Sequence, residues 1–300
     1  MNCYAIEGET GWDLVDTGLN ISHTHQGWKN LLEEYDLKWG NVRSIYVTHY
    51  HPDHYGAAGW LQEKTGAPVY MSSRSLEEVN HVWQAGFDFI NNFKDFYLAH
   101  GVPAEMMDNI SGNMINTARI VFPELPHIVN IEEGDQVLLG KYTYEVISTP
   151  GHADGHICFY CPQNQILFSG DHLLPKITSN ISLWPGGDHN PLQKFFSSLH
   201  KISDLETKLV LPAHGEIFTG VKKRVEELYR HHQYRLERMT QIAGEGKTAF
   251  EISQEVFGTD LSLHEIRFAI SETLAHLVYL QAENRLKTNE LNGLIYFQKA

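Results

Sequence analysis

Cysteine is scarce in this chain, three in 300 residues, and an odd count cannot form a closed disulfide framework. Reduced thiols and a cytoplasmic location are therefore expected. Cys158 and Cys161 spell C-x-x-C, but the run His156-Ile157-Cys158-Phe159-Tyr160-Cys161 reads as a strand. Residues three apart on a strand point to opposite faces, which argues against a redox or zinc motif. No uninterrupted apolar run approaches the length of a membrane span, so no membrane association is expected. The first twenty residues carry Glu7, Glu9, Asp13 and Asp16 without a basic stretch, so no secretory signal is read there.

Positive charge is also short: 23 Lys and Arg stand against 37 Asp and Glu, a net of −14. Residues 222–300 hold eleven of each sign, so the whole deficit falls on residues 1–221. An acidic region of that size repels polyanions and disfavours a nucleic-acid partner. The basic run Lys222-Lys223-Arg224, with Arg230, Arg235 and Arg238, alternates with Glu226, Glu227 and Glu237 and reads as a solvated helix face.

Histidine, by contrast, is concentrated. Thr48-His49-Tyr50-His51-Pro52-Asp53-His54 places four potential metal ligands within six residues, directly behind the strand pattern Val42–Val47. Imidazole nitrogen with carboxylate oxygen is the ligand set of zinc, iron or manganese. Gly56-Ala57-Ala58-Gly59 follows and allows a helix to pack closely, unlike a low-complexity His-rich loop. His49 and His51, two apart, project to one side of an extended segment, and Pro52 turns the chain before Asp53 and His54. Three more strand patterns each run into a candidate ligand: Tyr144–Ile147 into Pro150-Gly151-His152, Gln165–Phe168 into Gly170-Asp171, and Leu209–Leu211 into Ala213-His214-Gly215.

These residues, with Asp16-Thr17-Gly18 after Trp12–Val15, resemble the metallo-β-lactamase-fold metallohydrolases, whose pattern is H-x-H-x-D-H, a later G-H, a bridging Asp and a last His. The resemblance spans residues 1 to about 220 and fills all seven ligand positions. It implies an α/β fold, the αββα sandwich, and two divalent metal ions, zinc by default, with iron or manganese acceptable to the same donors. By the same resemblance His49, His51 and His152 hold one ion, Asp53, His54 and His214 the other, and Asp171 bridges them. Asp53 and Asp171 are thereby the expected catalytic carboxylates, and Asp16 the support of a ligand from behind. Members of the family usually carry a strand before the one that Met1–Ile6 begins, so a preceding strand is expected outside this sequence.

Periodicity divides the chain into a catalytic region, 1–220, and a C-terminal region, 221–300. Residues 74–121 form a helical insertion rich in aromatics (Trp83, Phe87, Phe89, Phe93, Phe96, Tyr97), with a second helix starting at Pro103-Ala104-Glu105. The insertion reads either as a lid over an apolar pocket or as simple packing. After Gly220 come helices over 221–242, from about Ala249, and over 263–282, then short strands at 285–288 and 293–297. That pattern resembles a small winged-helix domain of the kind some glyoxalase II relatives carry. Its third helix holds Glu265, Arg267 and Glu272, too acidic to read DNA, so packing or formation of a homodimer is expected.

The chemistry implied is metal-activated hydrolysis. Within the family, His51 separates the chain from flavodiiron oxygen reductases, which carry Glu there, and the Asp53-His54 pair separates it from many β-lactamases. The aromatic insertion and acidic surface favour a small thioester, ester or lactone. A phosphodiesterase or endoribonuclease is the alternative, and a mononuclear-iron sulfur dioxygenase a further one. Lys176, Tyr50 and Trp184 are the candidate substrate-binding residues, with His172 and His189 as further walls.

Overall fold

The computed structural model describes residues 1–84, 87–121 and 125–300 of the chain. In the catalytic region the chain runs β1 (Tyr4–Glu7), β2 (Trp12–Val15), α1 (Ser22–Glu34), β3 (Val42–Tyr46), α2 (Pro52–Tyr55), α3 (Ala58–Thr65) and β4 (Val69–Ser72). The insertion follows as α4 (Ser73–Glu78), a π-helical turn (Val79–Gln84), α5 (Phe87–Ala99) and α6 (Ala104–Val121). Then come β5 (Ile128–Ile131), β6 (Gln136–Leu139), β7 (Tyr142–Ser148), β8 (Ile157–Cys161), β9 (Ile166–Gly170), α7 (Pro191–Ser203) and β10 (Leu209–Pro212).

Two five-stranded sheets result, ordered β1-β2-β3-β4-β5 and β10-β9-β8-β7-β6. Alternation along each strand sorts the side chains. Val15, Tyr46 and Ile131 of the first sheet meet Val137, Tyr144, Val146, Phe159 and Phe168 of the second in a core between the sheets. Tyr46 stacks on Tyr70 at 4.9 Å and stands edge-on to Phe159 at 5.5 Å, which locks the two sheets together. The intervening residues Leu14, Ile45 and Val69 face outward into a second core shared with helices. Cys158 belongs to the outer core and Cys161 to the inner one, on opposite faces of β8. Strand β5 carries no legible pattern, because Val129 and Asn130 are exposed at the edge of the first sheet.

The aromatics of the insertion pack rather than line an opening. Phe89, Phe93 and Tyr97 are at most 2% exposed, Phe93 lies 4.5 Å from Tyr97, and the Tyr97 hydroxyl donates to the Leu183 carbonyl at 3.0 Å. Trp83 donates through Nε1 to the Tyr50 carbonyl at 3.3 Å, tying the insertion to the histidine-rich loop. The side chain of Phe87 lies outside the described residues.

The C-terminal region comprises α8 (Val221–Ala243), β11 (Lys247–Thr248), α9 (Ala249–Phe257), α10 (Leu263–Ala282), β12 (Leu286–Leu291) and β13 (Leu294–Lys299). Thr248 with Glu251, and Ser262 with Glu265, form reciprocal capping boxes that start α9 and α10. The terminal strands run longer than their sequence pattern. Asn292 and Gly293 both adopt positive φ and close a two-residue hairpin, so Asn289–Leu291 pair with β13 instead of forming a loop. Lys247–Thr248, which reads as a helix break, also pairs with β13 as a third strand. Among the described residues no helix is long and apolar enough to cross a membrane.

Candidate metal centre

Every expected ligand follows the C-terminal end of a strand. Strands β2 and β3 are parallel, as are β9 and β10, and β7 reaches β9 through two antiparallel pairings, so the loops after β3, β7, β9 and β10 emerge on common edges. Ligand-type atoms of His49, His51 and His152 lie within 4.8 Å of one another, as do those of Asp53, His54 and His214, and those of His49, His54 and Asp171. His49 Nε2 is 2.9 Å from His51 Nδ1, which is 3.0 Å from His152 Nε2. Asp171 touches both groups: Oδ2 is 3.5 Å from the Nε2 atoms of His54 and His152, and Oδ1 is 3.5 Å from His214 Nε2. Asp53 Oδ2 lies 3.2 Å from His214 Nε2 and 3.6 Å from His54 Nε2.

The residues behind these groups fix their orientation. Asp16 holds a left-handed φ of 60° and accepts from the Thr48 amide at 2.8 Å, and its Oδ2 lies 2.9 Å from His54 Nδ1. That bond fixes the ring with Nδ1 toward Asp16 and turns Nε2 to the cluster. His152 Nδ1 likewise donates to the Asn180 carbonyl at 2.8 Å. His156, which the sequence marks only as the start of a strand, accepts from the Asp171 amide at 3.1 Å, while its Nδ1 meets Thr149 Oγ1 at 2.7 Å. A Cβ on Gly170, itself at φ 50°, would sit 2.6 Å from His156 Nε2, so only glycine lets the loop carrying Asp171 approach. The one signal for His156 in the sequence is its spacing four residues after His152.

Charge at the cluster is one-sided. Among the described residues no lysine or arginine is ion-paired with Asp16, Asp53 or Asp171. Burial would lower the His54 pKa, but Asp16, Asp171 and Asp53 hold it well above the ordinary histidine value. Burial would raise the Asp171 carboxyl, but His54, His152 and His214 keep it well below the ordinary carboxylate range. His49 and His51 are pushed well down, first by burial and then by neighbouring histidines, so both present neutral lone pairs. His54 Nε2 and Asp171 Oδ1 are buried without a hydrogen-bond partner. Neutral imidazoles converging at 3 Å, carboxylates with no lysine or arginine beside them and an orphaned carboxylate oxygen together fit divalent cations.

The other candidates distribute unevenly. Tyr50 is buried, its ring 4.8 Å from His51, and burial pushes its phenol well above the usual value. Trp184 lies half-buried, 5.4 Å from Phe93. Lys176 is exposed, and its backbone carbonyl, with that of Ile177, accepts from Arg224 of α8. His172 is fully buried against Phe195, with its pKa lowered to about 3 by burial and by His152, and His189 is exposed.

Two sheets face to face with helices outside, and a His/Asp cluster on their common edge, define a metal-dependent hydrolase of the αββα class. Residues 2–214 match the Metallo-beta-lactamase superfamily, and residues 236–300 match the Metallo-beta-lactamase-like, C-terminal domain. The chain belongs to the metallo-β-lactamase superfamily. A metallo-beta-lactamase family protein from Thermus thermophilus has a similar crystal structure, with TM-score 0.88 and 32% identity over 100% of this chain and 93% of that one. A probable metallo-hydrolase of Bacillus subtilis is 26% identical over 309 residues, 98% of this chain and 92% of its own. A hydroxyacylglutathione hydrolase of Haemophilus influenzae is 27% identical over 237 residues, 74% of this chain and 90% of its own.

Proposed function

We propose that the chain is a dinuclear metal-dependent hydrolase of a small thioester, ester or lactone. The observation that carries this reading is Asp171, one carboxylate within 3.5 Å of histidines from both ligand groups. His49, His51 and His152 would hold one ion, Asp53, His54 and His214 the second, and Asp171 both. A pair of divalent ions brings the pKa of water toward neutrality and offsets oxyanion charge developing on a carbonyl or phosphoryl group. The protein's own part is orientation. Asp16 and the Asn180 carbonyl set the tautomers of His54 and His152, and His156 holds the Asp171 amide. Asp53 and Asp171 stay ionised through the working pH range, since neighbouring histidines hold both carboxyls well down against burial.

The acyl preference is supported by the charge of −14 carried by residues 1–221 and by the likeness to a hydroxyacylglutathione hydrolase, a thioester-cleaving type. Zinc is the default occupant, with iron and manganese compatible with the same donors. A cytoplasmic setting and a homodimer remain part of this reading. Protein loaded with zinc, manganese or iron should be assayed on a thioester, a homoserine lactone, bis-p-nitrophenyl phosphate and structured RNA. Metal-dependent turnover fastest on the thioester or lactone is expected. Salt-sensitive RNA binding with faster RNA cleavage would overturn the acyl reading. A metal stoichiometry that stays at or below one after reconstitution would overturn the dinuclear one.

A further inference from the structure

We propose that Arg267 of α10, with His264 one turn before it, forms an anion-binding subsite beside the metal centre that selects acyl substrates bearing a carboxylate or phosphate. This rests on the hydrolase reading above for its substrate, but the subsite itself stands on the packing of α10. Asn180, whose carbonyl holds His152, donates through Nδ2 to the Phe268 carbonyl at 3.3 Å. The first turns of α10 are thereby joined to a candidate metal ligand through one side chain. The Leu183 amide also donates to the Ser271 carbonyl at 3.1 Å, which fixes the loop carrying Trp184 against the same helix. Among the charges that bear on Tyr50, between His49 and His51, Glu78 and Asp154 come before Arg267, and on His264 Arg267 and Glu265 come before Asp53.

Arg267 differs from the other arginines whose side chains are described. Arg43, Arg74, Arg224, Arg230, Arg235 and Arg285 each pair with a carboxylate, and Arg238 donates to the Glu255 carbonyl. Among the described residues Arg267 has no carboxylate or carbonyl acceptor. Its Nε is buried without a partner, and one terminal nitrogen reaches only His264 Nδ1, at 3.4 Å. The guanidinium lies 4.8 Å from the Phe268 ring centroid and 5.6 Å from that of Trp184. Aromatic faces fix its plane and remove water from it, yet supply no acceptor in that plane. Leaving the buried Nε unmatched is costly, and a planar carboxylate or a phosphate accepting from Nε and a terminal nitrogen in parallel would satisfy it. The surrounding region is otherwise acidic, so this cation gives an incoming anion a local attraction that a neutral substrate lacks.

The test uses four S-acetyl thioesters on metal-loaded protein: those of 2-mercaptoethanol (neutral), 3-mercaptopropionate (carboxylate), 2-mercaptoethyl phosphate, and thiocholine (cationic). Wild type should favour the anionic pair in kcat/KM by about tenfold to a hundredfold, the worth of a charge-assisted bidentate contact. The better of the two anions identifies the source. Arg267→Gln should remove that preference by lowering the anionic rates alone, leaving the neutral thioester within about twofold, and Arg267→Lys should restore part of it. Calorimetric titration of the protein as purified with succinate and with inorganic phosphate reads the subsite without turnover, and Arg267→Gln should weaken binding of one or both. If no thioester is turned over but this binding is lost in Arg267→Gln, the hydrolase reading fails and the subsite stands. Equal kcat/KM on neutral and anionic thioesters, or identical anion binding by wild type and a folded Arg267→Gln, overturns the subsite.

Discussion

His49, His54 and Asp171 are buried, with His51 and His152 half-buried, at the edge of the two sheets, while His232, His276 and Glu272 are buried between α8 and α10. Both clusters bring ring nitrogens to about 3 Å, and in both three ligand-type atoms fall within 4.8 Å, His231, His232 and Glu272 in the second case. They differ in charge. The first holds Asp16, Asp53 and Asp171 with only histidines, and no lysine or arginine, paired to them among the described residues. In the second, Arg235 pairs with the Glu272 carboxylate. His276 Nδ1 donates to the Glu272 carbonyl at 2.7 Å, which leaves its Nε2 to accept from His232 Nδ1. Burial, helped by neighbouring histidines and by Arg235, keeps this pair neutral, with His276 lowered to about 3. Carboxylates without a lysine or arginine partner, not the number of histidines, separate the candidate cation site from the cluster between the helices.

The largest effect should come from breaking the first cluster. Asp171→Ala or His51→Ala should lower turnover about a thousandfold, since each removes a ligand from a loop and leaves the sandwich core intact. Elemental analysis should show lost metal and circular dichroism a retained fold. Near-normal turnover with normal metal content in either variant would refute the assignment.

Arg235→Leu attacks the second cluster by leaving Glu272 buried and uncompensated. A loss of about 3–5 kcal/mol in urea unfolding is expected, with metal stoichiometry unchanged. Should that variant gain a third bound ion, Arg235 is what keeps cations out, and the electrostatic distinction is sharpened. Should it lose the first two, the clusters are coupled through Asn180, which also donates to Glu272.

The pH response carries a definite sign. His172 and His276 have folded pKa values near 3, below the unfolded value of 6.5, so the unfolded chain binds more protons between those limits. Stability from each is complete above about pH 6.5 and falls as pH drops toward 3, by about 1.4 kcal/mol per unit for each histidine. Replacing His276 with Leu should flatten the acid limb of the stability curve by one proton's worth, and an unchanged limb would place the titration elsewhere.

The smallest effect is expected at Asp16. Asn tolerates its left-handed φ, so Asp16→Asn should keep the turn while weakening the hold on His54, with metal affinity falling about 10–100-fold by competition with a chelator. An affinity that does not change would make Asp16 a turn-former only.

Much of the candidate metal centre is legible in the chain because its determinants are local. The two-residue spacing of His49 and His51, the turn at Pro52 and the glycine before Asp171 depend on backbone period and φ alone. The same holds for the capped helices α9 and α10 and for most strands of the sandwich. Strand β5 is not legible, since an edge strand with two exposed residues needs no hydrophobic alternation. The hairpin β12–β13 reads too short in the sequence because its length is set by pairing across Asn292-Gly293. His156 beneath Asp171, Asn180 behind His152, and Arg267 facing Trp184 bring together residues 15 to 83 positions apart along the chain. No periodicity encodes such contacts. They exist because sheets and helices, once packed, have one geometry that buries their apolar faces, and the polar groups carried along must find partners there. The sequence by itself thus determined which residues carry metal-ligand chemistry and which strands deliver them. Tertiary packing alone decided which charges stand next to those residues, and so which of two histidine clusters is left with an excess of negative charge.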